Sequence, residues 1–255
     1  MSRQMALTEL AEGLFALSGH ADCTVTGMTS DSRALQPGDA FIAVQGLTAH
    51  GLSYLHAEQA AQASVVLYEA PAPASTVIPE NAIAVPALKS LQATIASRFF
   101  GAPAQAMTMV GVTGTNGKTS TVQLIAQAFT LQGRRTGTIG TLGTGLYGQL
   151  RSGERTTPDV IAVHRALAEM HDAGAEAVAM EVSSHALDQG RVAGVTFDIA
   201  VFSNLTLDHL DYHGSMQAYA QDKALVYGER SVMVINADDP WVAAMQPAAA
   251  PVPAA

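Results

Sequence analysis

The sequence predicts an α/β protein: a small mixed α/β N-terminal domain over residues 1–102, followed over 103–255 by a phosphate-loop (P-loop) type, mostly parallel sheet with helices on both faces. Three observations lead there. Apolar, β-rich runs recur after residue 107 and each ends in polar residues, as strands covered on both faces do. The stretch "MTMVGVTGTNGKTS" sets a strand, a glycine-rich turn and a helix start in succession. Near residue 103, after "FFGAPAQ", the rhythm changes to strand, loop and helix, which sets the boundary.

In chain order, "MSRQMALTELAEGLFALSG" carries Glu9 and Glu12 inside its apolar pattern and reads as an amphipathic helix rather than a signal peptide. "AFIAVQG" and "ASVVLYEA" read as short strands set off by "QPGD" and by the Pro-rich "APAPASTVIPEN". "LKSLQATIASRFFG" reads as a helix. In the second domain "KTSTVQLIAQAFTLQG" places Val122, Ile125, Ala126 and Phe129 on one helical face before Gly133. "TTPDVIAVHRALAEMHDAGA" predicts a helix with Thr157 as N-cap, Pro158 at its first position, Asp159 in its first turn and Gly174 as its stop. "EAVAMEVSS", "FDIAVFSNL" and "RSVMVINADD" read as parallel strands buried on both faces, whose carboxyl ends are where such sheets bind ligands. A further helix starts at a Ser215 cap. The terminal "QPAAAPVPAA" reads as a linker or a cut end.

Composition narrows the function. With 48% apolar and 14% charged residues the chain has ample core material, and its net charge of −9 lacks the basic excess that phosphate-backbone contacts need, so nucleic acid is not expected as a partner. No apolar run is long enough to span a membrane. Cys23 is the single cysteine, which excludes an internal disulfide and fits the cytoplasm.

The chemistry centres on "VGVTGTNGKTST". Gly114, Thr115, Asn116 and Gly117 between strand and helix let backbone N–H groups converge on phosphate oxygens, Lys118 would neutralise them, and the Thr119 hydroxyl would ligate Mg²⁺. The loop departs from G-x-x-x-x-G-K-[ST], because Val112 stands where the first glycine belongs. His209 and His213 also stand at i, i+4, a spacing that could bind zinc, but "HLDYH" lacks the glutamate of H-E-x-x-H and no third ligand is near; a structural or substrate-side role for His213 fits better.

"TGTNGKTS" resembles the G-T-N-G-K-[ST] loop of the ATP-dependent Mur ligases and the related folylpolyglutamate synthetases, in which the missing glycine is not part of the pattern. "TTPD", "MEVSSHALDQGRV" and "FSNLTLDHLDYHGSMQAYAQDKALVY" resemble the Mur ligase branch that adds the third amino acid to the UDP-N-acetylmuramoyl peptide, and "MTSDSRALQPGDAFIAVQG" resembles its uridine-nucleotide domain. Together these cover most of residues 25–240. "LTAHGLSY" departs from the pattern, with His50 where relatives usually carry an aspartate.

The resemblance implies ATP bound by Gly114 to Ser120 and Mg²⁺ held by Thr119, Glu181 and His209. By itself Glu181 could equally be a cap or a salt-bridge partner, and His209 is an odd match for a hard cation. The resemblance further implies that Lys223 carries a carbamate formed with CO₂, which requires a neutral amine; without it, Lys223 reads as a solvated lysine. It points to Ser30, Thr156, Thr157, Ser183, Gln189 and Arg191 for the acceptor peptide, although Arg191 could be an exposed ion-pair partner and the two threonines only a helix cap. The implied reaction is amide formation through an acyl phosphate, with Lys118, Lys223 and His209 serving catalysis and diaminopimelate added to UDP-N-acetylmuramoyl-L-Ala-D-Glu. Mur ligases continue past this point into a third domain, so the central domain is expected to be incomplete. An L-lysine-adding ligase, a silent binding module for the muramoyl peptide or ATP, and a phosphotransferase or NTPase without ligase activity remain as alternatives.

Overall fold

The structure, a computed structural model, describes residues 3–17, 23–74 and 76–244. The Ala/Pro-rich end lies outside them. The chain divides into two compact units, Met1–Ala102 with Val160–Arg165, and Pro103–Asp159 with Ala166–Ala255.

In the first unit β1 (Met5–Ala6) pairs antiparallel with β2 (Thr24–Val25), and α1 (Leu7–Ala11) follows β1 directly. The long N-terminal helix expected from the sequence is thus one short turn. Its start is taken by strand pairing, and Gly13, at φ 69°, breaks the helical path beyond it. Arg98 compensates for the early stop by donating from Nη1 to the carbonyls of Glu9, Leu10 and Glu12 at 3.2, 2.9 and 2.8 Å.

β3 (Gly27–Thr29), β4 (Asp39–Ala43), β5 (Val65–Ala70) and β6 (Ala82–Pro86) form an all-parallel sheet in that spatial order. α2 (Ala57–Gln62) connects β4 to β5, and α3 (Leu88–Phe100) follows β6 and ends at left-handed Gly101. Every residue of β4 is buried, and Phe41 packs with Leu35, Leu52 and Val66. His50 is buried here: its Nδ1 accepts from Leu52 N at 3.2 Å while Nε2 donates to the Glu69 carbonyl at 3.0 Å. An imidazole therefore makes the local cap that a carboxylate would make at the same place.

The second unit holds β7 (Thr108–Thr113), β8 (Thr136–Gly140), β9 (Gly143–Leu146), β10 (Gln149–Arg151), β11 (Ala177–Glu181), β12 (Ile199–Phe202) and β13 (Val232–Ile235). They form one sheet in the order β10-β9-β8-β11-β7-β12-β13; the five from β8 to β13 run parallel, and β9 and β10 add an antiparallel hairpin. The helices after β7 are α4 (Lys118–Leu131), α5 (Val160–Asp172), of which Val160–Arg165 group with the first unit, α6 (Ser184–Asp188), α7 (Leu210–His213), α8 (Met216–Ala224) and α9 (Pro240–Ala244). The apolar face expected on α4 is the one that packs: Val122, Ile125 and Phe129 meet Val110, Val112 and Ala179 of the sheet.

Two expectations need correction. α5 begins at Val160, so neither Thr156 nor Thr157 caps it; Thr157 is drawn instead into bonds with the end of β11. β13 is not buried on both faces, since it is the edge strand among the described residues and Val232 and Val234 are 63% and 44% exposed.

No helix among the described residues is long and apolar enough to cross a membrane. At the sheet centre, Gly111 of β7 lies under the Phe197 ring, and a Cβ there would come within 2.8 Å of it. Gly111→Ala should therefore overpack this point and destabilise the second unit by about 1–3 kcal/mol, read as a lower urea midpoint for its unfolding.

Candidate active site

Because β7, β8, β11 and β12 run parallel, their carboxyl ends lie along one edge of the sheet. From that edge leave the loop at 114–117, Thr141, the segment from Val182 into α6, and residues 203–209.

The phosphate-type loop needs its glycines. Gly114 has φ 145° and a Cβ there would overlap Ser203 Oγ, while Gly117 has φ 82° immediately before α4. The loop is braced from β12's exit: Thr115 N donates to the Asn204 carbonyl at 2.9 Å, Asn116 N to Asn204 Oδ1 at 2.9 Å, and Asn204 Nδ2 to the Asn116 carbonyl at 2.9 Å. Of the loop N–H groups expected to converge on phosphate, those of Thr115 and Asn116 are bonded to Asn204 and hold the loop in shape.

Lys118 Nζ donates to the carbonyls of Gly114 and Thr115 at 2.7 and 3.0 Å. Lys223, on α8 behind the Ser215 cap, donates to the same Gly114 carbonyl at 2.9 Å and lies over the Tyr219 ring at 4.6 Å. It is 1% exposed, which overturns its reading as a solvated lysine. Burial first, and the like charge of Lys118 second, bring the Lys223 amine down to about 7, against a smaller opposing pull from Asp208. Burial lowers Lys118 as well, while Glu181 and Asp208 pull it back up.

Glu181 ends β11 and is 1% exposed. Its Oε2 accepts from the Thr119 hydroxyl at 2.9 Å and the Thr141 hydroxyl at 3.3 Å, and its Oε1 from Thr141 N at 2.8 Å. None of the ion pairs among the described residues involves it. Gly140 makes room for it, since a Cβ there would overlap Glu181 Oε1. A buried carboxylate beside a threonine hydroxyl, satisfied by neutral donors alone, is a donor set that suits a hard divalent cation.

Thr156 meets Thr141 hydroxyl to hydroxyl at 3.0 Å. Thr157 donates from Oγ1 to the Glu181 carbonyl at 2.9 Å and accepts from Ser183 N at 3.2 Å; Ser183 caps α6 by accepting from Ala186 N. Arg191 donates from Nη1 to the Thr157 carbonyl at 3.1 Å and from Nε to Gln189 Oε1 at 3.0 Å, and Gln189 Nε2 donates to the Tyr212 hydroxyl at 3.1 Å. Thr157, Ser183, Gln189 and Arg191 are thus one bonded network, and Arg191 is part of it rather than of an exposed ion pair. Ser30 lies in the first unit, just after β3.

His209 takes a left-handed conformation, φ 50°, before α7, with Nε2 3.4 Å from Asp208 Oδ2 and its ring edge-on to His185 at 5.1 Å. The crowding of His185 by burial and by His209, His213 and Arg191 keeps its imidazole below its ordinary value. His213 is committed to Asp222 and Ser184, and no group of three or more His, Cys, Asp or Glu among the described residues is placed to hold a metal, so the i, i+4 zinc spacing is not used.

Sequence reasoning gave no role to Thr141 or to Tyr219, whose hydroxyl lies 3.3 Å from Thr115 Oγ1. Thr141 had an available signal, "TGTIGT", whose glycines masked a strand.

Residues 112–253 match the model of the Mur ligase middle domain, and residues 24–100 that of the Mur ligase family catalytic domain. A UDP-N-acetylmuramoyl-L-alanyl-D-glutamate–2,6-diaminopimelate ligase of Xanthomonas campestris is 55% identical over 254 residues, covering 97% of this chain and 51% of that protein. The ligase of the same name from Pseudomonas aeruginosa is 52% identical over 222 residues, covering 86% of this chain and 45% of the relative. A solved structure of such a ligase superposes with a TM-score of 0.76 at 31% identity, over 95% of this chain and 49% of that one. A MurF ligase from Thermotoga maritima, solved in complex with ADP, shares the fold at 21% identity, with a TM-score of 0.59 over 84% of this chain and 46% of its own. The chain spans about half the length of the curated relatives it matches. The sheet order, the braced loop and the matched models converge: this chain belongs to the Mur ligase family.

Proposed function

We propose that the chain is the nucleotide- and acceptor-binding portion of a cytoplasmic, ATP-dependent amide ligase that adds meso-diaminopimelate to UDP-N-acetylmuramoyl-L-Ala-D-Glu. The observation that carries this reading is the pair of amines on the Gly114 carbonyl, set at the same sheet edge as the bond between Thr119 and the buried Glu181. Relatives more than half identical along most of this chain bear that ligase's name, which supports the choice of substrates.

In this reading Gly114 to Ser120 cradle the ATP phosphates, and Lys118 turns from the loop carbonyls toward the phosphoryl group as negative charge develops there. Thr119 and Glu181 would hold Mg²⁺, with His209 and a carbamylated Lys223 as further partners, and the ion would supply charge stabilisation on the phosphates. Lys223 suits carbamate formation because burial and Lys118 bring its amine down to about 7, so that a substantial fraction is neutral near pH 7. Thr156, Thr157, Ser183, Gln189 and Arg191 bind the acceptor peptide, with Arg191 pre-aimed by Gln189 for an anionic group. Residues 1–102, through Ser30, bind the uridine nucleotide. The acceptor carboxylate attacks the terminal phosphoryl group of ATP, releasing ADP and forming an acyl phosphate; the incoming amine then attacks the acyl carbon, loses a proton and displaces phosphate.

A second reading is a module that binds both ligands without turnover. An assay of this chain with ATP, Mg²⁺, the muramoyl dipeptide and either diaminopimelate or L-lysine, run beside calorimetry, separates the two. Amide formation with diaminopimelate is the ligase outcome, binding alone is the module outcome, and absence of both overturns the proposal. Lys118→Ala should weaken ATP binding about ten- to a hundredfold in calorimetry, the worth of a lost charged hydrogen bond. In ¹³C-reductive-methylation NMR, Lys223 should titrate near 7, and Lys118→Ala should move that midpoint upward by removing the like charge; an unmoved midpoint would contradict the coupling of the two amines.

A further inference from the structure

His213 stands outside the roles given so far, yet its ring is wholly buried and both of its nitrogens are engaged. Nδ1 lies 2.6 Å from Asp222 Oδ2, and Nε2 lies 3.0 Å from Ser184 Oγ. A carboxylate only accepts, so Nδ1 carries the proton, and in the neutral ring Nε2 accepts from the Ser184 hydroxyl. The order Asp, His, Ser is that of a hydrolytic triad, but Ser184 is 1% exposed at the first turn of α6, out of reach of any substrate carbonyl. The chemistry open to this arrangement is therefore orientation.

What it orients follows from the elements it joins. Ser184 directly follows Ser183 and opens the segment that carries Gln189 and Arg191, while Asp222 directly precedes Lys223. The His213 ring also packs on Tyr219 of α8, centroids 4.8 Å apart. We propose that His213, fixed in one tautomer by Asp222, is a positioning residue that ties the acceptor-binding segment at 183–191 to the helix bearing Lys223 and so sets the distance between acceptor and amine. This inference rests on the function proposed above. The phosphate loop meets α8 through Lys223 and Tyr219 but is also braced from β12 by Asn204, so the tie acts more strongly on the acceptor than on the nucleotide.

The test is calorimetry of the whole 255-residue chain with UDP-N-acetylmuramoyl-L-Ala-D-Glu and, separately, ADP, for wild type, Ser184→Ala, His213→Gln and the double variant. Each single change is expected to weaken acceptor binding about tenfold, the worth of one hydrogen bond to a buried partner, with no further loss in the double variant and ADP affinity held within about twofold. Unchanged acceptor affinity in Ser184→Ala, additive losses, or an equal loss for ADP would overturn the tie. ¹⁵N-histidine NMR supplies an arm that needs no ligand: His213 should be protonated at Nδ1, and Ser184→Ala should shift its Nε2 resonance without moving that proton. If the wild-type chain binds neither ligand, the functional reading falls, and the nitrogen spectrum alone decides the tie; a proton on Nε2 would sink it.

Discussion

Two lysine amines donate to one oxygen, the carbonyl of Gly114, and the second unit is arranged around making that possible. Like charges so close are costly in a buried setting, and the cost falls on the more buried partner: Lys223 approaches neutrality while Lys118, nearer Glu181, keeps more of its charge. The carbonyl is presented by a loop in which Gly114 takes a conformation that other residues rarely adopt and which Asn204 holds from the exit of the neighbouring strand β12.

The parallel sheet supplies the second constraint. Each strand delivers its last residue to the same edge, so groups distant in sequence, such as Thr119 and Glu181, come within hydrogen-bonding distance without any long loop to order. The buried carboxylate then organises its surroundings: its side chain collects Thr119 and Thr141, and its own carbonyl collects Thr157. The bonds that place Thr157 also explain why the following helix starts late, since a threonine committed to β11 is lost as a cap.

Much of this order was legible in the sequence, for reasons that also mark where legibility ends. β7, the loop and α4 could be read because each signal is local: an apolar run, glycines in a turn, then a stripe of Val122, Ile125 and Phe129. β8 escaped because its glycines answer to distant residues, Met170 at Gly137 and Glu181 at Gly140, so the strand's own composition looks like a loop. Lys223 was invisible as a buried amine for a similar reason, as its environment is built by Tyr219 and by a loop more than a hundred residues away. Both faces of β13 read as buried because an apolar strand carries no mark of whether a neighbour covers it.

The fit of Gly140 against Glu181 has an evolutionary corollary. A methyl group at position 140 would overlap the glutamate side chain at 181, so position 140 cannot gain a side chain while the carboxylate stays where it is. Any lineage that acquires a side chain at 140 must shorten or relocate the carboxylate, and with it the partner of Thr119.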